Sequence, residues 1–197
     1  MVNTVAIFHG YGGNKPNSWL TWLNKKLIDL GKQTIYPSFP FMGSSTIEEW
    51  REEFSRYSQN MKLPISIVGH SAGSTFAFYL VQNSDIIVEK MILVCPLNNL
   101  DGAEHDRPGD ANQAPFIRNF VHQNFDFDII KSKVNEFIFV LSDNDHNVPY
   151  QTTKKYFQNI FPDSRFITLH NMGHVNEKAG ITELPLILEE LLTINTN

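Results

Sequence analysis

The stretch Pro64–Gly73, P-I-S-I-V-G-H-S-A-G, decides the fold predicted for this chain. Ile65, Ile67 and Val68 form a short uncharged apolar run, which is typical of a strand buried on both faces in a parallel sheet. The residues after G-H-S-A-G carry apolar side chains at helical spacing, so the pentapeptide lies between a strand and a helix. A G-x-S-x-G turn in that context holds its serine, here Ser71, in a strained backbone with the hydroxyl above the sheet.

Two glycines and a helix start surround Ser71. Gly69 and Gly73 are expected where the strand and the helix pass too close for a Cβ atom. The helix predicted to begin at Ala72 presents free N–H groups and the positive end of its dipole. We therefore expect the backbone N–H of Ala72 to stabilise a negative charge that forms beside Ser71.

Apolar runs alternate with helical patterns along the rest of the chain. Five further strands are predicted at 4–8, 33–36, 90–95, 136–142 and 165–170. This order predicts an α/β protein with a mainly parallel six-stranded sheet and helices on both faces, a three-layer α/β/α arrangement. Ligands of such sheets bind beyond the carboxyl ends of the strands, which is where the polar residues below fall.

Composition limits the classes of function. The 197 residues carry a formal net charge of −5 without a strong basic cluster, which argues against a nucleic-acid partner. The stretches are too short and too polar to cross a membrane. A single cysteine, Cys95, excludes an intrachain disulfide and reads as a small buried hydrophobe. We expect one domain over 1–197, and a cytoplasmic protein because the first strand leaves no room for a signal peptide.

One long segment, 98–133, interrupts the alternation of strands and helices. Its first half is polar and rich in turn residues, and its second half contains several phenylalanines in a predicted short helix and turn. Long insertions at the ligand-binding edge of a sheet are often lids or binding loops. The sequence therefore predicts a small cap over the site.

Candidates for a base and its acid partner follow the fifth and sixth strands. A serine hydroxyl becomes nucleophilic when a histidine takes its proton, and a carboxylate holds that histidine in the required tautomer. We prefer Asp145 over Asp143, which is typical of a residue that caps a turn, and His174 over His170, which ends its strand. A metal site from Asp143, Asp145 and His146 lacks paired-histidine spacing, so no metal or organic cofactor is expected.

The loop after the first strand, 9–13 or H-G-Y-G-G, is expected to approach the substrate closely. An oxyanion hole needs two N–H donors, and Tyr11 is predicted to supply the second beside Ala72. The predicted substrate contacts are Gly10, Gly12, His70 and Phe116. Four aromatic residues either line an apolar acyl pocket or belong to the core, namely Tyr11, Trp19, Phe116 and Phe120.

Several motifs resemble one known family along nearly the whole chain. They are H-G-Y-G-G, S-W-L-T-W-L-N-K-K-L, the tryptophan of E-E-W, G-H-S-A-G, D-H-N-V-P, G-H-V-N-E-K-A-G and L-P-L-I-L-E-E-L. The pattern resembles the small single-domain serine hydrolases of the α/β-hydrolase superfamily, a group that includes retinoblastoma-binding protein 9 and YdeN-type proteins. The resemblance implies Ser71 as nucleophile, Asp145 as acid and His174 as base, on a sheet lacking the first strands of larger relatives. Val175 departs from the family, which often has an aromatic residue there.

The expected function is hydrolysis of small esters, or of amides, through an acyl-enzyme on Ser71. The resemblance implies esterase-type activity, peptidase activity in some members, and binding of other proteins in several. Two alternatives therefore stay open, which are aminopeptidase-like activity and a protein-interaction module with little turnover. A protein partner is compatible with the family, although no residue pattern in the chain indicates one.

Overall fold

The computed structural model describes residues 4–41, 45–97, 114–121 and 123–193. The strands are β1 (Thr4–Phe8), β2 (Gln33–Ile35), β3 (Ile65–His70), β4 (Val88–Val94), β5 (Val134–Ser142) and β6 (Arg165–Leu169). The helices are α1 (Trp19–Asp29), α2 (Ile47–Tyr57), α3 (Ala72–Gln82), α4 (Ala114–Val121), α5 (Phe127–Ser132), α6 (Tyr150–Ile160) and α7 (Pro185–Leu192). A 3₁₀ turn spans Glu177–Ala179. Within these ranges, none of the helices has the length and hydropathy needed to cross a bilayer.

The six strands form one parallel sheet in the order β2-β1-β3-β4-β5-β6. Apolar clusters cover both faces of this sheet. One contains Trp50 of α2, Phe76 of α3 and Phe157 of α6, and the other contains Leu23 of α1 and Ile187 of α7. The predicted α/β fold with helices on both faces of a six-stranded sheet is therefore confirmed.

The fourth strand begins two residues earlier than predicted. Val88 is buried and pairs with both neighbouring strands, but the charged residue Glu89 after it hides this start in the sequence. Lys90 is buried, and its Nζ donates to the carbonyls of Glu190 at 2.7 Å and Thr193 at 2.8 Å, at the end of α7. Because these hydrogen bonds satisfy the ammonium group, a charged residue can lie in a central strand.

The predicted cap over 98–133 is described only in part. In the second half of that segment, α4 and α5 pack against α3, and α5 also contacts β5. Phe120 is fully buried, with its ring centroid 4.7 Å from that of Trp50. This half therefore contributes to the core beside α3. Residues 98–113, the first half of the predicted cap, lie outside the described residues, so the cap over 98–133 and the single domain stay predictions.

Candidate active site

Ser71 occupies the turn between β3 and α3 with the strained backbone that the sequence predicts. Its φ of 54° and ψ of −122° are values that residues other than glycine rarely adopt. Its N–H donates to the carbonyl of Val94 at 3.0 Å, and its own carbonyl accepts from Ser74 N at 2.9 Å. Its side chain makes no capping hydrogen bond to α3. The surrounding backbone thus holds the strained turn without using the Ser71 hydroxyl to cap the helix.

Three glycines around this turn have no room for a side chain. A Cβ atom on Gly73 would lie 2.2 Å from the carbonyl oxygen of Phe8, and one on Gly69 would lie 2.8 Å from the Gly73 oxygen. A Cβ atom on Gly10 would lie 2.8 Å from Cβ of Ser71. The loop after β1 therefore lies directly against the Ser71 side chain.

The two predicted oxyanion residues are Ala72, which directly follows Ser71, and Tyr11, which directly follows Gly10. Ala72 is buried at the first position of α3, where helical N–H groups have no partner within the helix. Tyr11 follows Gly10 and is half-buried, with its ring centroid 6.3 Å from that of Phe41. Gly12 has a φ of 101°, in the same loop. The side chain of Phe116 lies outside the described residues.

Asp145 and His174 form a buried pair above the carboxyl ends of β5 and β6. Nδ1 of His174 lies 2.8 Å from Oδ2 of Asp145, whose side chain is 1% exposed. Oδ1 of Asp145 accepts from the N–H groups of Asn147 at 2.8 Å and Val148 at 3.0 Å. Burial would raise the pKa of Asp145, but hydrogen bonds from His174 and these amides outweigh it and lower the pKa. An ionised Asp145 keeps the proton of His174 on Nδ1, which leaves Nε2 as the acceptor nitrogen.

Asp143 and His170, the competing candidates, form a second pair on the surface. Nδ1 of His170 lies 2.6 Å from Oδ2 of Asp143, and the two side chains are 77% and 32% exposed. Oδ1 of Asp143 accepts from Asn171 N at 2.9 Å, so this aspartate binds an amide of the loop after β6 and not, as predicted, one of its own turn. The sequence identified all four residues but did not indicate that they form two separate pairs. Because it is buried, the pair of Asp145 and His174 is favoured as the candidate base and acid partner for Ser71.

Two buried ring N–H groups hold the loop that carries His174. Nε2 of His70 lies 2.9 Å from the carbonyl oxygen of His174, so His70 is the donor. Nε1 of Trp19 donates to the carbonyl of Val175 at 2.7 Å. Val175 is itself buried with a φ of 47°, a strained value for a β-branched residue. An ion pair between Lys15 and Glu177 also joins this loop to the loop after β1.

These contacts bear on two predictions. His70 is buried and its Nε2–H is bound to a backbone carbonyl, so it supports the His174 loop, and its role as a substrate contact stays a prediction. Trp19 is 1% exposed and Phe120 is fully buried, which assigns both to the core and not to an acyl pocket. Because His70 also precedes Ser71 and its ring centroid lies 5.0 Å from that of His174, the His174 loop rests directly on the serine turn.

His9 holds the loop after β1 in a similar way. Its Nδ1 lies 2.7 Å from the carbonyl oxygen of Gly10, and its Nε2 accepts from Phe39 N at 3.0 Å. This arrangement needs a neutral ring with its proton on Nδ1. Burial lowers the pKa of His9 to about 4, and burial together with the neighbouring His174 lowers the pKa of His70 to about 3.

Acid is therefore expected to destabilise the protein through His9 and His70. In the unfolded chain both titrate near pH 6.5, so between that value and about 4 the unfolded state binds more protons than the folded state. The free energy of unfolding should fall with decreasing pH over this window, by up to about 1.4 kcal/mol per pH unit for each histidine. Urea unfolding at a series of pH values measures this slope. His70→Gln keeps a donor for the His174 carbonyl and should remove about half of the slope, whereas a constant stability would contradict two buried neutral rings.

Cys95 is buried in the apolar core, as the sequence suggests, and it also lies beside Asp145. It directly follows β4 with a φ of 46°, and its N–H donates to the carbonyl of Val140 at 2.9 Å. Burial and the adjacent carboxylate of Asp145 raise the pKa of its thiol well above the usual value. In the described part of the chain, Cys95, Asp145 and His174 bring potential metal-ligand atoms within 4.8 Å of one another. The sequence also offered Asp143, Asp145 and His146 as a candidate metal site. In the structure the two aspartates bind different histidines, Asp143 binding His170 and Asp145 binding His174.

The arrangement defines a class of protein. A strained serine lies between a central parallel strand and its helix, and an acid and a histidine follow two later strands in that chain order. This is the α/β-hydrolase fold, in which a serine, an acid and a histidine follow one another along the chain in that order.

The chain belongs to the serine hydrolase family, whose match covers residues 5–193. The ydeN gene product from B. subtilis has a similar structure, with a TM-score of 0.77 and 23% identity over 96% of this chain and 97% of that one. A YdeN-like hydrolase from Pectobacterium atrosepticum has a TM-score of 0.66 and 18% identity, over 95% and 88%. An esterase from Exiguobacterium antarcticum has a TM-score of 0.67 and 15% identity, over 97% and 92%. Among curated proteins, no sequence matches significantly.

Proposed function

We propose that this hydrolase cleaves small carboxylic esters through an acyl-enzyme on Ser71, with His174 as base and Asp145 as its partner. The observation that carries the proposal is the buried hydrogen bond between Asp145 and His174 in a loop that rests on the strained Ser71 turn. Membership in the serine hydrolase family supports hydrolysis, and the similarity to an esterase supports the choice of ester substrates.

In the first half of the proposed reaction, Oγ of Ser71 attacks the ester carbonyl carbon while Nε2 of His174 takes the hydroxyl proton. Asp145 keeps the remaining ring proton on Nδ1 and stabilises the imidazolium that forms. The backbone N–H groups of Ala72 and Tyr11 donate to the oxyanion, each contributing on the order of 10²–10³ in turnover. The intermediate collapses when the alcohol leaves with the proton from His174, and the acyl group stays on Ser71.

In the second half, a water molecule attacks the acyl-enzyme and gives its proton to Nε2 of His174. A second oxyanion forms at the same two N–H groups, and its collapse releases the acid and returns the proton to Ser71. Every proton transfer runs through Nε2, so the tautomer set by Asp145 is used twice in each turnover.

Labelling with a fluorophosphonate tests this function, because an activated serine displaces fluoride from the probe and becomes phosphonylated. The native chain should be labelled within minutes, and Ser71→Ala should lose the label. Ser74→Ala is the matched control, because Ser74 lies on the same turn but its hydroxyl donates to the carbonyl of Gly69 at 3.0 Å. An unlabelled native chain, or equal labelling of Ser71→Ala, would favour an interaction module with little turnover.

A substrate panel distinguishes esterase activity from the remaining alternative, aminopeptidase-like activity. Faster turnover of p-nitrophenyl esters than of aminoacyl amides is expected for an esterase, and the reverse order would indicate aminopeptidase-like activity. Varying the acyl chain within the ester series then defines the substrate range.

A further inference from the structure

Cys95 adds a third type of ligand to the pair formed by Asp145 and His174. The three residues come from the end of β4, the loop after β5 and the loop after β6, yet their sulfur, oxygen and nitrogen atoms all lie within 4.8 Å of one another. The backbone N–H of Cys95 is bound to Val140, and Asp145 is bound to two backbone amides, so both ligands come from anchored positions. The proposed reaction makes no use of the thiol.

We propose that Cys95, Asp145 and His174 form an inhibitory site for zinc and chemically similar divalent cations. Thiolate, carboxylate and imidazole are the three ligand types that zinc takes in proteins, and a fourth position would stay open to water. Zinc–ligand distances of about 2.0–2.3 Å place neighbouring ligand atoms roughly 3.3–3.7 Å apart. The widest separation in the cluster must therefore contract by about 1 Å, a movement within the reach of side-chain rotation.

Charge also favours a divalent cation at this position. One thiolate and one carboxylate balance the two positive charges of zinc, so the loaded site carries no net charge into a buried environment. The thiol releases its proton to solvent when zinc binds. The neutral imidazole loses none, because zinc takes the place of the proton on Nδ1 and that proton moves to Nε2.

The replacement of the Nδ1 proton of His174 by zinc explains why the cation would inhibit ester hydrolysis. This consequence rests on the proposed function. With zinc on Nδ1, the remaining proton of His174 occupies Nε2, the nitrogen that has to accept the proton of Ser71. Asp145 would simultaneously lose its hydrogen bond to the ring. Zinc would therefore leave the fold intact and remove the base.

The proposal is tested by measuring the rate of ester hydrolysis at increasing concentrations of zinc chloride. The native chain should be inhibited, and a chelator should restore its activity. In Cys95→Ser the zinc concentration for half-inhibition, measured against that variant's own zinc-free rate, should rise at least about 100-fold, since even outer-shell partners of metals are worth 10–100-fold. His170→Ala is the matched control, because it removes the surface Asp–His pair that lacks a cysteine, and its inhibition should equal that of the native chain. Equal inhibition of Cys95→Ser and the native chain would overturn the site.

Cobalt provides a readout that does not depend on activity. Binding of Co²⁺ to the native chain and to Ser71→Ala should produce a near-ultraviolet thiolate-to-cobalt band, and Cys95→Ser should lack it. A band in a protein without esterase activity would support the metal site while the proposed function fails. An active esterase without the band would overturn the metal site and leave the proposed function standing.

Discussion

Replacing His174 by alanine is expected to lower kcat for ester hydrolysis by roughly 10⁴–10⁶, since without a base the hydroxyl of Ser71 is a poor nucleophile. KM should change little, because the ring is used mainly in the transition state. The His174 side chain is 12% exposed and lies in a loop after β6, so the folded structure should persist without it. Initial rates with a p-nitrophenyl ester measure the effect.

The matched control for this change is His170→Ala. His170 also bonds an aspartate and follows β6, but it is 77% exposed and belongs to the surface pair. Its loss should leave kcat within a few-fold of the native value. If His170→Ala is inactive and His174→Ala is active, the roles of the two pairs are reversed, and the proposed mechanism with His174 as base is wrong.

The sequence was sufficient for the fold because the signals for each strand are local. The apolar run before Gly69 and the helical spacing after Gly73 define the serine turn within about 20 residues. The start of β4 was missed for the opposite reason, because Glu89 interrupts the apolar run and separates Val88 from the rest of the strand in the sequence. The pairing of Val88 with Ile65 and Val134 shows that the strand begins there, and this pairing joins residues far apart in the chain.

For the candidate site, the sequence predicted the main residues but not all of the contacts between them. Motif order identified Ser71, and the sequence favoured Asp145 and His174 as its partners. The second pair, Asp143 with His170, was not predicted, although both aspartates follow β5 and both histidines follow β6. Burial separates the pairs, and burial is set by tertiary packing. The support from His70 and the position of Cys95 were missed since each depends on contacts across many residues, and neither has a pattern of its own.

Replacing Asp145 by asparagine is expected to lower kcat by about 10⁴, because an amide NH₂ facing Nδ1 favours the tautomer with the ring proton on Nε2. That nitrogen could then no longer accept the proton of Ser71. Asparagine has nearly the same shape and retains an oxygen for the amides of Asn147 and Val148, so the folded structure should persist. The rate should partly recover at high pH, where hydroxide replaces the general base.

Asp143→Asn provides the comparison that assigns this loss to the tautomer and not to the loop. Asp143 lies two residues away, also bonds a histidine, and also accepts from a backbone amide, that of Asn171 at 2.9 Å. Both substitutions thus remove one carboxylate from the same loop and leave an acceptor for its amides. Of the two aspartates, Asp145 is the one bonded to His174, the proposed base, so a loss of about 10⁴ confined to Asp145→Asn is the expected result. Comparable losses in both variants would mean that the charge of the loop, and not the orientation of His174, governs the rate.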